Sequence, residues 1–312
     1  MNALFVGLGS IGTRHLKNLH TVAKNCGIPL EVTALRSPGG AATELPPEID
    51  GLLDRQLSVL DSGVHFGAAF ITNPTHLHAQ TIERLKGRVD TFFIEKPIFE
   101  SADHDLDALG LGEAQKAYVA APLRWTALYA AVQEKLAKMP VYSVRATCSS
   151  YLPDWRPGAD YRAGYSAHAE MGGGVTLDLI HEWDYLAGLF GLPEVCYNLR
   201  GKFSHLQIDS DDLSVYIARY KDFLCEVHLD YFGRGYRREL EVLSEAGTLL
   251  ADFGSGRLTL PDGSTEDYGE DGNQKYLREM AWFLGYAVNG GESANSPRHA
   301  LAVLRTALGE EI

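Results

Sequence analysis

The spacing of apolar and polar residues changes partway along the chain. Through residues 1–121, unbroken apolar runs occur at Ala3–Val6, Leu30–Leu35, Phe66–Ile71, Thr91–Ile94 and Ala117–Ala121. Segments of helical period lie between several of them, at Thr13–Ala23, Thr75–Leu85 and Asp103–Leu109. Continuous apolar runs suit strands buried on both faces, and their alternation with helices predicts a doubly wound α/β domain with a parallel sheet. Ser37–Glu48, rich in Pro and Gly, predicts a surface loop.

After Pro122 the pattern is different. A helix is expected at Thr126–Ala137 and a strand at Val141–Ser149, followed by a long irregular stretch from Tyr151 to Gly174 that leads into a helix. Five alternating segments follow, at Val195–Arg200, Leu213–Tyr220, Phe223–Tyr231, Arg238–Ser244 and Thr248–Asp252. Turn-like connections such as Lys221-Asp222 and Glu245-Ala246-Gly247 join them, so a large, mostly antiparallel open sheet is expected. Tyr276–Val288 and Pro297–Leu308 read as closing helices, which makes residues 122–312 an α+β domain.

The first apolar run leads straight into Gly7-Leu8-Gly9-Ser10-Ile11-Gly12 and then into a helix. In this context the glycine pattern is a dinucleotide fingerprint, and it makes residues 1–121 a Rossmann domain. Gly7 allows the tight turn, Gly9 lets a pyrophosphate approach the backbone, and Gly12 permits close helix–strand packing. Gly7, Gly9, Ser10, Ile11 and Gly12 are therefore candidate cofactor contacts. The second strand ends in Arg36-Ser37, where an NAD-specific site usually carries an acidic residue. An arginine there suits a 2′-phosphate, so the site leans to NADP over NAD.

Phe70-Ile71-Thr72-Asn73-Pro74 ends a further strand. Ligands of open parallel sheets collect beyond the carboxyl ends of strands, which directs Thr72, Asn73 and Pro74 to the cofactor groove. His76 and His78 follow as packed or capping histidines, with His78 also a candidate cofactor contact. The strand Phe92-Phe93-Ile94 then delivers Glu95-Lys96-Pro97. Lys96 is either a structural partner of Glu95 or a rigidly presented lysine able to exchange protons with an alcohol; both residues are candidate cofactor contacts.

Gly172-Gly173-Gly174 precedes Val175–Phe190, read as one amphipathic helix entered through a glycine hinge. Val175, Leu179, Trp183, Leu186 and Phe190 share one stripe of it, and Asp178, His181, Glu182 and Tyr185 a neighbouring one. A carboxylate one turn before an imidazole can orient it for proton transfer. The Tyr151–His168 segment mixes aromatic residues, which suit sugar C–H surfaces, with arginines able to grip an anion. Trp155, Arg156, Tyr161, Arg162 and Tyr165 are candidate substrate contacts, as are Lys96, Arg124, Asp178, His181 and Tyr276. The competing reading of the segment is a loop held by its own Trp and Arg packing.

Composition narrows the function classes. At 312 residues the chain accommodates two domains, and 45% hydrophobic with 22% charged residues is ordinary for a globular protein. The net charge of −13, with Lys and Arg dispersed, argues against a nucleic-acid partner. No apolar run suits a membrane span, no secretory signal is evident, and a cytoplasmic location is expected. Cys26, Cys148, Cys196 and Cys225 are scattered, which favours reduced thiols over disulfides or a metal site.

Taken in order, G-L-G-S-I-G, T-N-P with a following histidine, E-K-P and the tri-glycine–Asp–His segment resemble the glucose–fructose oxidoreductase / inositol dehydrogenase / rhizopine-catabolism (Gfo/Idh/MocA) family over nearly the whole chain. The resemblance implies an NAD(P)-dependent oxidoreductase acting on a secondary alcohol or ketone of a sugar, cyclitol or sugar derivative. It implies Lys96 as the catalytic lysine, His181 as the acid/base and Asp178 as its orienting or proton-sharing partner. Many members space the aspartate and histidine four apart; here they are three apart. It also implies a homodimer or homotetramer formed through the C-terminal sheet. The Tyr151–His168 stretch is similar to branches acting on bacterial surface-sugar or nonulosonic-acid precursors, and the substrate is expected to be anionic. Two alternatives stay open: a relative that uses NAD for elimination or glycosidic cleavage with no net redox change, and a non-catalytic nucleotide sensor.

Overall fold

The computed structural model describes residues 1–36, 44–61 and 63–310. The chain divides into two compact units, residues 1–120 with 276–301, and residues 121–275 with 302–312.

The first unit is built on a six-stranded sheet. Its strands are β1 (Asn2–Val6), β2 (Glu31–Leu35), β3 (Arg55–Leu57), β4 (Phe66–Ile71), β5 (Val89–Ile94) and β6 (Lys116–Val119). They lie in the order β3-β2-β1-β4-β5-β6, with every pair parallel. This is the doubly wound order expected for a dinucleotide-binding sheet. Helix α1 (Ser10–Asn25) follows β1 and buries Leu16, Leu19 and Val22. A short helix α2 (Pro47–Asp50) and helix α3 (His78–Leu85) lie further along, α3 entered through a 3-10 turn at Thr75–Leu77. No helix forms at Asp103–Leu109, where the expected period is folded instead into turns. Asp105 takes the backbone N–H groups of Asp107 and Ala108 on its side chain, stabilising a turn in place of a helix.

One closing helix returns to this unit. In α7 (Gln274–Asn289), the Phe283 ring lies 5.3 Å from Phe70 and 5.0 Å from Phe93, while Phe5 stacks on Phe70 at 4.4 Å. The Tyr118 hydroxyl donates to Glu279 at 2.7 Å, so the buried carboxylate is met by a donor. Fully burying one such aromatic side chain contributes about 1.5–3 kcal/mol. The period of residues 276–288 is the expected one, but periodicity does not specify which sheet a helix covers. A cut at residue 121 therefore does not describe the compact units.

The second unit holds an eight-stranded sheet in the order β14-β13-β12-β11-β7-β10-β9-β8. The strands are β7 (Val141–Tyr151), β8 (Val195–Gly201), β9 (Leu213–Arg219), β10 (Leu224–Asp230), β11 (Phe232–Ser244), β12 (Gly247–Asp252), β13 (Arg257–Thr259) and β14 (Thr265–Asp267). All pairs are antiparallel except β7 with β10. Helix α4 (Ala127–Leu136) is capped by the Thr126 hydroxyl, which accepts from Tyr129 N–H. Residues 152–171 form a chain of 3-10 turns.

The Val175–Phe190 segment corrects two expectations. It is two helices, α5 (Val175–Asp178) and α6 (His181–Phe190), broken at Leu179 and Ile180. Asp178 ends one and His181 begins the other, so they do not share a helical face. Glu182 and Tyr185 are buried rather than part of a polar stripe. Glu182 lies 2.8 Å from the Arg238 Nε of β11. The tri-glycine is also a tight crossing, not a hinge. A Cβ on Gly173 would lie 2.1 Å from the Tyr165 carbonyl oxygen, and one on Gly174 2.0 Å from Asp211 Oδ1.

The final helix α8 (Pro297–Leu308) matches its expected bounds. Among the described residues, no helix is long and apolar enough to cross a membrane.

Candidate functional site

In the first unit, the glycine turn is shaped as its spacing requires. Gly7 has φ +99°, and a Cβ there would lie 2.5 Å from Asn73 N. A Cβ on Gly12 would lie 2.1 Å from the Gly7 carbonyl oxygen. A Cβ on Gly9, by contrast, would meet nothing within 4 Å. Gly9 caps the N-terminus of α1 without a side chain, and Ser10 and Ile11 form its first turn. First-turn amides have no intrahelical acceptor and point outward, an arrangement suited to phosphate oxygens.

Thr72 closes the turn from β4. Its hydroxyl donates to the Gly7 carbonyl at 2.5 Å, with the Val6 carbonyl at 3.2 Å. The adjacent Asn73 donates through Nδ2 to Thr81 at 2.9 Å, while its Oδ1 is buried with no hydrogen-bond partner. Pro74 is exposed beside it. His78 is buried with its two ring nitrogens 3.0 Å from the Ile98 carbonyl and 2.9 Å from the Asn73 carbonyl. Burial lowers its pKa below 6.5, against the pull of those two carbonyls. The Arg36 guanidinium at the end of β2 donates to Gln56 at 3.0 Å. Ser37 lies outside the described residues.

E-K-P follows β5 as expected, but Glu95 has a partner that the sequence reading missed. His15 on α1 is fully buried, and its Nε2 lies 2.5 Å from Glu95 Oε1. The other oxygen accepts the Lys96 N–H at 3.1 Å. Burial raises the Glu95 pKa, but the His15 bond and charge, with that of Lys96, outweigh it and leave the carboxyl below its ordinary value. The carboxylate thus spans the helix that opens at the glycine turn and the backbone of Lys96. His15 Nδ1 is itself buried without a partner. Tyr276 belongs here too: its ring lies 5.9 Å from His15, beneath the Arg14 guanidinium at 4.8 Å. Burial and then the Glu95 charge push the Tyr276 hydroxyl up to about 12. A signal for His15 was present, because it sits on the apolar stripe of α1 next to Leu16 and Leu19, where an imidazole needs a partner.

In the second unit, Asp178 is 5 % exposed, and both carboxylate oxygens are bonded. Tyr165 Oη donates to Oδ1 at 2.7 Å and Tyr231 Oη to Oδ2 at 2.6 Å. Burial and the Asp178 charge raise both phenol pKa values, so the tyrosines remain donors. Tyr231, at the end of β10, escaped the sequence reading because its partner is 53 residues away. His181 is partly buried at the start of α6.

Trp155 packs edge-on against Tyr231 at 5.2 Å and donates to the Ser150 hydroxyl at 3.1 Å. Trp155, Arg156, Tyr161 and Tyr165 line a cavity of about 250 Å³. The other two candidate arginines are committed to carboxylates. Arg162 holds Asp160 through Nε at 2.8 Å and donates to Gln207, supporting the self-packed loop reading for that residue. Arg124 donates to the Asp184 carboxylate and carbonyl, each at 2.7 Å.

With this geometry established, known structures of similar fold can be compared. An oxidoreductase from Agrobacterium radiobacter, solved with NAD+, L-tartaric acid and magnesium, aligns at TM-score 0.80 and 16% identity, over 99% of this chain and 95% of that one. Levoglucosan dehydrogenase in complex with NADH and levoglucosan aligns at 0.78 and 15%, over 99% and 95%. The WlbA dehydrogenase from Bordetella pertussis, in complex with NADH and UDP-GlcNAcA, aligns at 0.73 and 17%, over 99% and 96%. These likenesses establish the two-sheet fold. No protein-family profile and no curated protein matches the chain.

All four cysteines are unpaired. Among the described residues, no cluster of three or more His, Cys, Asp or Glu side chains is arranged to hold a metal ion.

Proposed function

We propose that this chain is an NAD(P)-dependent oxidoreductase of the Gfo/Idh/MocA type, acting on a secondary alcohol or the matching ketone of a sugar-like molecule. The observation that carries the reading is the glycine turn running into α1, with open space at Gly9 and the Glu95–Lys96 segment joined to that helix through His15. The buried, unpartnered Asn73 Oδ1 suits a ligand donor such as a carboxamide. Proteins of like fold bind NAD+ or NADH together with a hydroxylated small molecule, which supports the same ligand classes here.

A bound nicotinamide dinucleotide supplies hydride acceptance and return. Gly9, Ser10 and Ile11 would bind its pyrophosphate through backbone amides, and Thr72, Asn73, Pro74 and His78 would hold the nicotinamide end. Arg36, where an acidic residue is absent, favours a 2′-phosphate and hence NADP over NAD. In the oxidative direction His181 or Lys96 takes the hydroxyl proton; at the other end of the cycle the Lys96 ammonium stabilises negative charge developing on the substrate oxygen. Asp178, fixed by two phenols, orients the acid/base machinery. Arg156, Trp155, Tyr161 and Tyr165 hold an anionic, sugar-like substrate, and the resemblance of the Tyr151–His168 stretch to branches acting on surface-sugar or nonulosonic-acid precursors supports that class.

A homodimer or homotetramer through the second sheet is part of the reading. Tyr197 and Leu199 on β8 are 72% and 81% exposed, and Ile217, opposite Tyr197 on β9, is 47% exposed. A sheet face this apolar suits contact with another copy. Sedimentation equilibrium tests it, and a monomer at working concentration removes this part.

The experiment for the reading as a whole is a spectral turnover assay with a panel of sugar acids and polyols, with wild type and Lys96→Ala. Net change at the reduced-nicotinamide band, lost by about 10³-fold in the variant while dinucleotide affinity stays nearly constant, is the expected result. Turnover with no net absorbance change favours the elimination chemistry, and dinucleotide binding with no turnover favours a sensor.

A further inference from the structure

A second cavity, of about 460 Å³, shares the Trp155–Arg156 wall with the 250 Å³ cavity lined by Tyr165. Its other walls include Tyr151, Asp154, Arg234 and Tyr236. Arg234 and Tyr236 belong to none of the sequence motifs.

Its positive charge comes from two arginines. Arg124, Arg145, Arg162, Arg219, Arg237 and Arg238 each have a carboxylate within ion-pair distance. Arg156 and Arg234, both lining the cavity, have none among the described residues. The Arg234 guanidinium lies 3.7 Å above the Tyr151 ring. Stacking holds a guanidinium flat and leaves its in-plane N–H donors available, the geometry that phosphate oxygens use.

The aromatic groups are equally specific. Trp155 is 39% and Tyr236 59% exposed beside those two cations. The Trp155 indole is fixed by its bond to Ser150 and its edge contact with Tyr231, so its exposed surface has a set orientation. An oriented, exposed indole next to a second ring is a stacking platform for a planar base. Asp154 on the same wall is unsuited to a bare anion but suits a ligand that also carries hydroxyl donors.

We propose that this cavity binds the nucleoside-phosphate portion of a nucleotide-activated sugar. The sugar extends past Arg156 into the smaller cavity, whose Tyr165 is bonded to Asp178. The base stacks on Trp155 and Tyr236, Arg234 and Arg156 hold the phosphates, and Asp154 takes the ribose hydroxyls. Both volumes together fall within the ~300–1,000 Å³ of small-molecule pockets. The inference rests on the dehydrogenase reading and names its substrate class.

The test uses the full chain saturated with NADH, so that nucleotides do not report on the dinucleotide groove. UDP, CDP and GDP are titrated by calorimetry and Trp fluorescence, alongside uridine, glucose 1-phosphate and inorganic phosphate. At least one nucleoside diphosphate is expected to bind ten-fold or more tighter than every control. Arg234→Ala, on an exposed position, is expected to weaken that binding about ten-fold or more, with NADH affinity and melting temperature unchanged. Glucose 1-phosphate binding as tightly as the best nucleotide overturns the proposal in favour of a simple sugar phosphate. Unchanged nucleotide affinity in Arg234→Ala also overturns it. Turnover of an unphosphorylated sugar without nucleotide binding overturns this inference and leaves the dehydrogenase reading intact; a chain that binds UDP but not NADH does the reverse.

Discussion

The candidate groups of the first unit are held by what lies beside them in sequence, and those of the second by what the fold brings from far away. Gly7, Gly9 and Gly12 shape one turn, and Lys96 stands next to the glutamate that bonds its backbone. Asp178 instead depends on phenols 13 and 53 residues away. Backbone cradles at strand ends are set by local chain geometry. A buried carboxylate requires donors, and in the second unit these come from an irregular segment and the end of a strand. The first unit's candidate groups can therefore be read as a motif, whereas the second unit's are a packing solution. Long-range partners enter the first unit too, His15 at Glu95 and Thr72 at the Gly7 carbonyl, but each joins a group that its own motif already marks.

The comparison is broken most severely by His181→Asn. If the second unit carries the acid/base, turnover falls roughly 100-fold or more while NADH affinity is unchanged, as titration and steady-state rates together will report. A near-normal rate moves the proton work wholly to Lys96 and leaves the second unit with substrate binding alone.

Glu95→Gln tests the long-range link in the first unit. Losing a buried charge-assisted hydrogen bond costs about 2 kcal/mol, a melting-temperature drop of several degrees in a chain of this size. The pH dependence has a definite sign. The folded pKa of Glu95 lies below 4.5, so its contribution is complete above that value and is lost as pH falls through the folded pKa. Melting curves of wild type and variant should differ at pH 7 and converge in acid. A constant gap across that range would separate the stabilisation from the Glu95 charge.

Tyr231→Phe sharpens the other side. It removes one of the two donors to buried Asp178 at the cost of about 1.5 kcal/mol, measured by denaturant unfolding. If Asp178 orients the site, kcat falls with little change in KM; an unchanged kcat would make the pair purely structural.

The smallest effect is expected from Arg36→Asp, a shift of about ten-fold in preference from NADP towards NAD, seen in the ratio of kcat/KM values. Unchanged ratios would remove Arg36 from the cofactor site.

Sequence alone determined the longer strands, the doubly wound class of the first sheet, the mostly antiparallel second sheet and the glycine turn, because each leaves a local periodic or turn signal. Pro297–Leu308 was legible to the residue, and the glycine turn atom by atom in its steric logic. The edge strands β3, β13 and β14, of three residues each, were too short to carry a pattern.

Only the tertiary structure decided where α7 packs, why Val175–Phe190 breaks into two helices, and which polar groups meet. Trp155 and Tyr231, His15 and Glu95, and Arg234 and Tyr151 are pairs separated by tens of residues. A hydrogen bond or ring contact across such a span depends on side-chain direction and burial, which no one-dimensional spacing encodes.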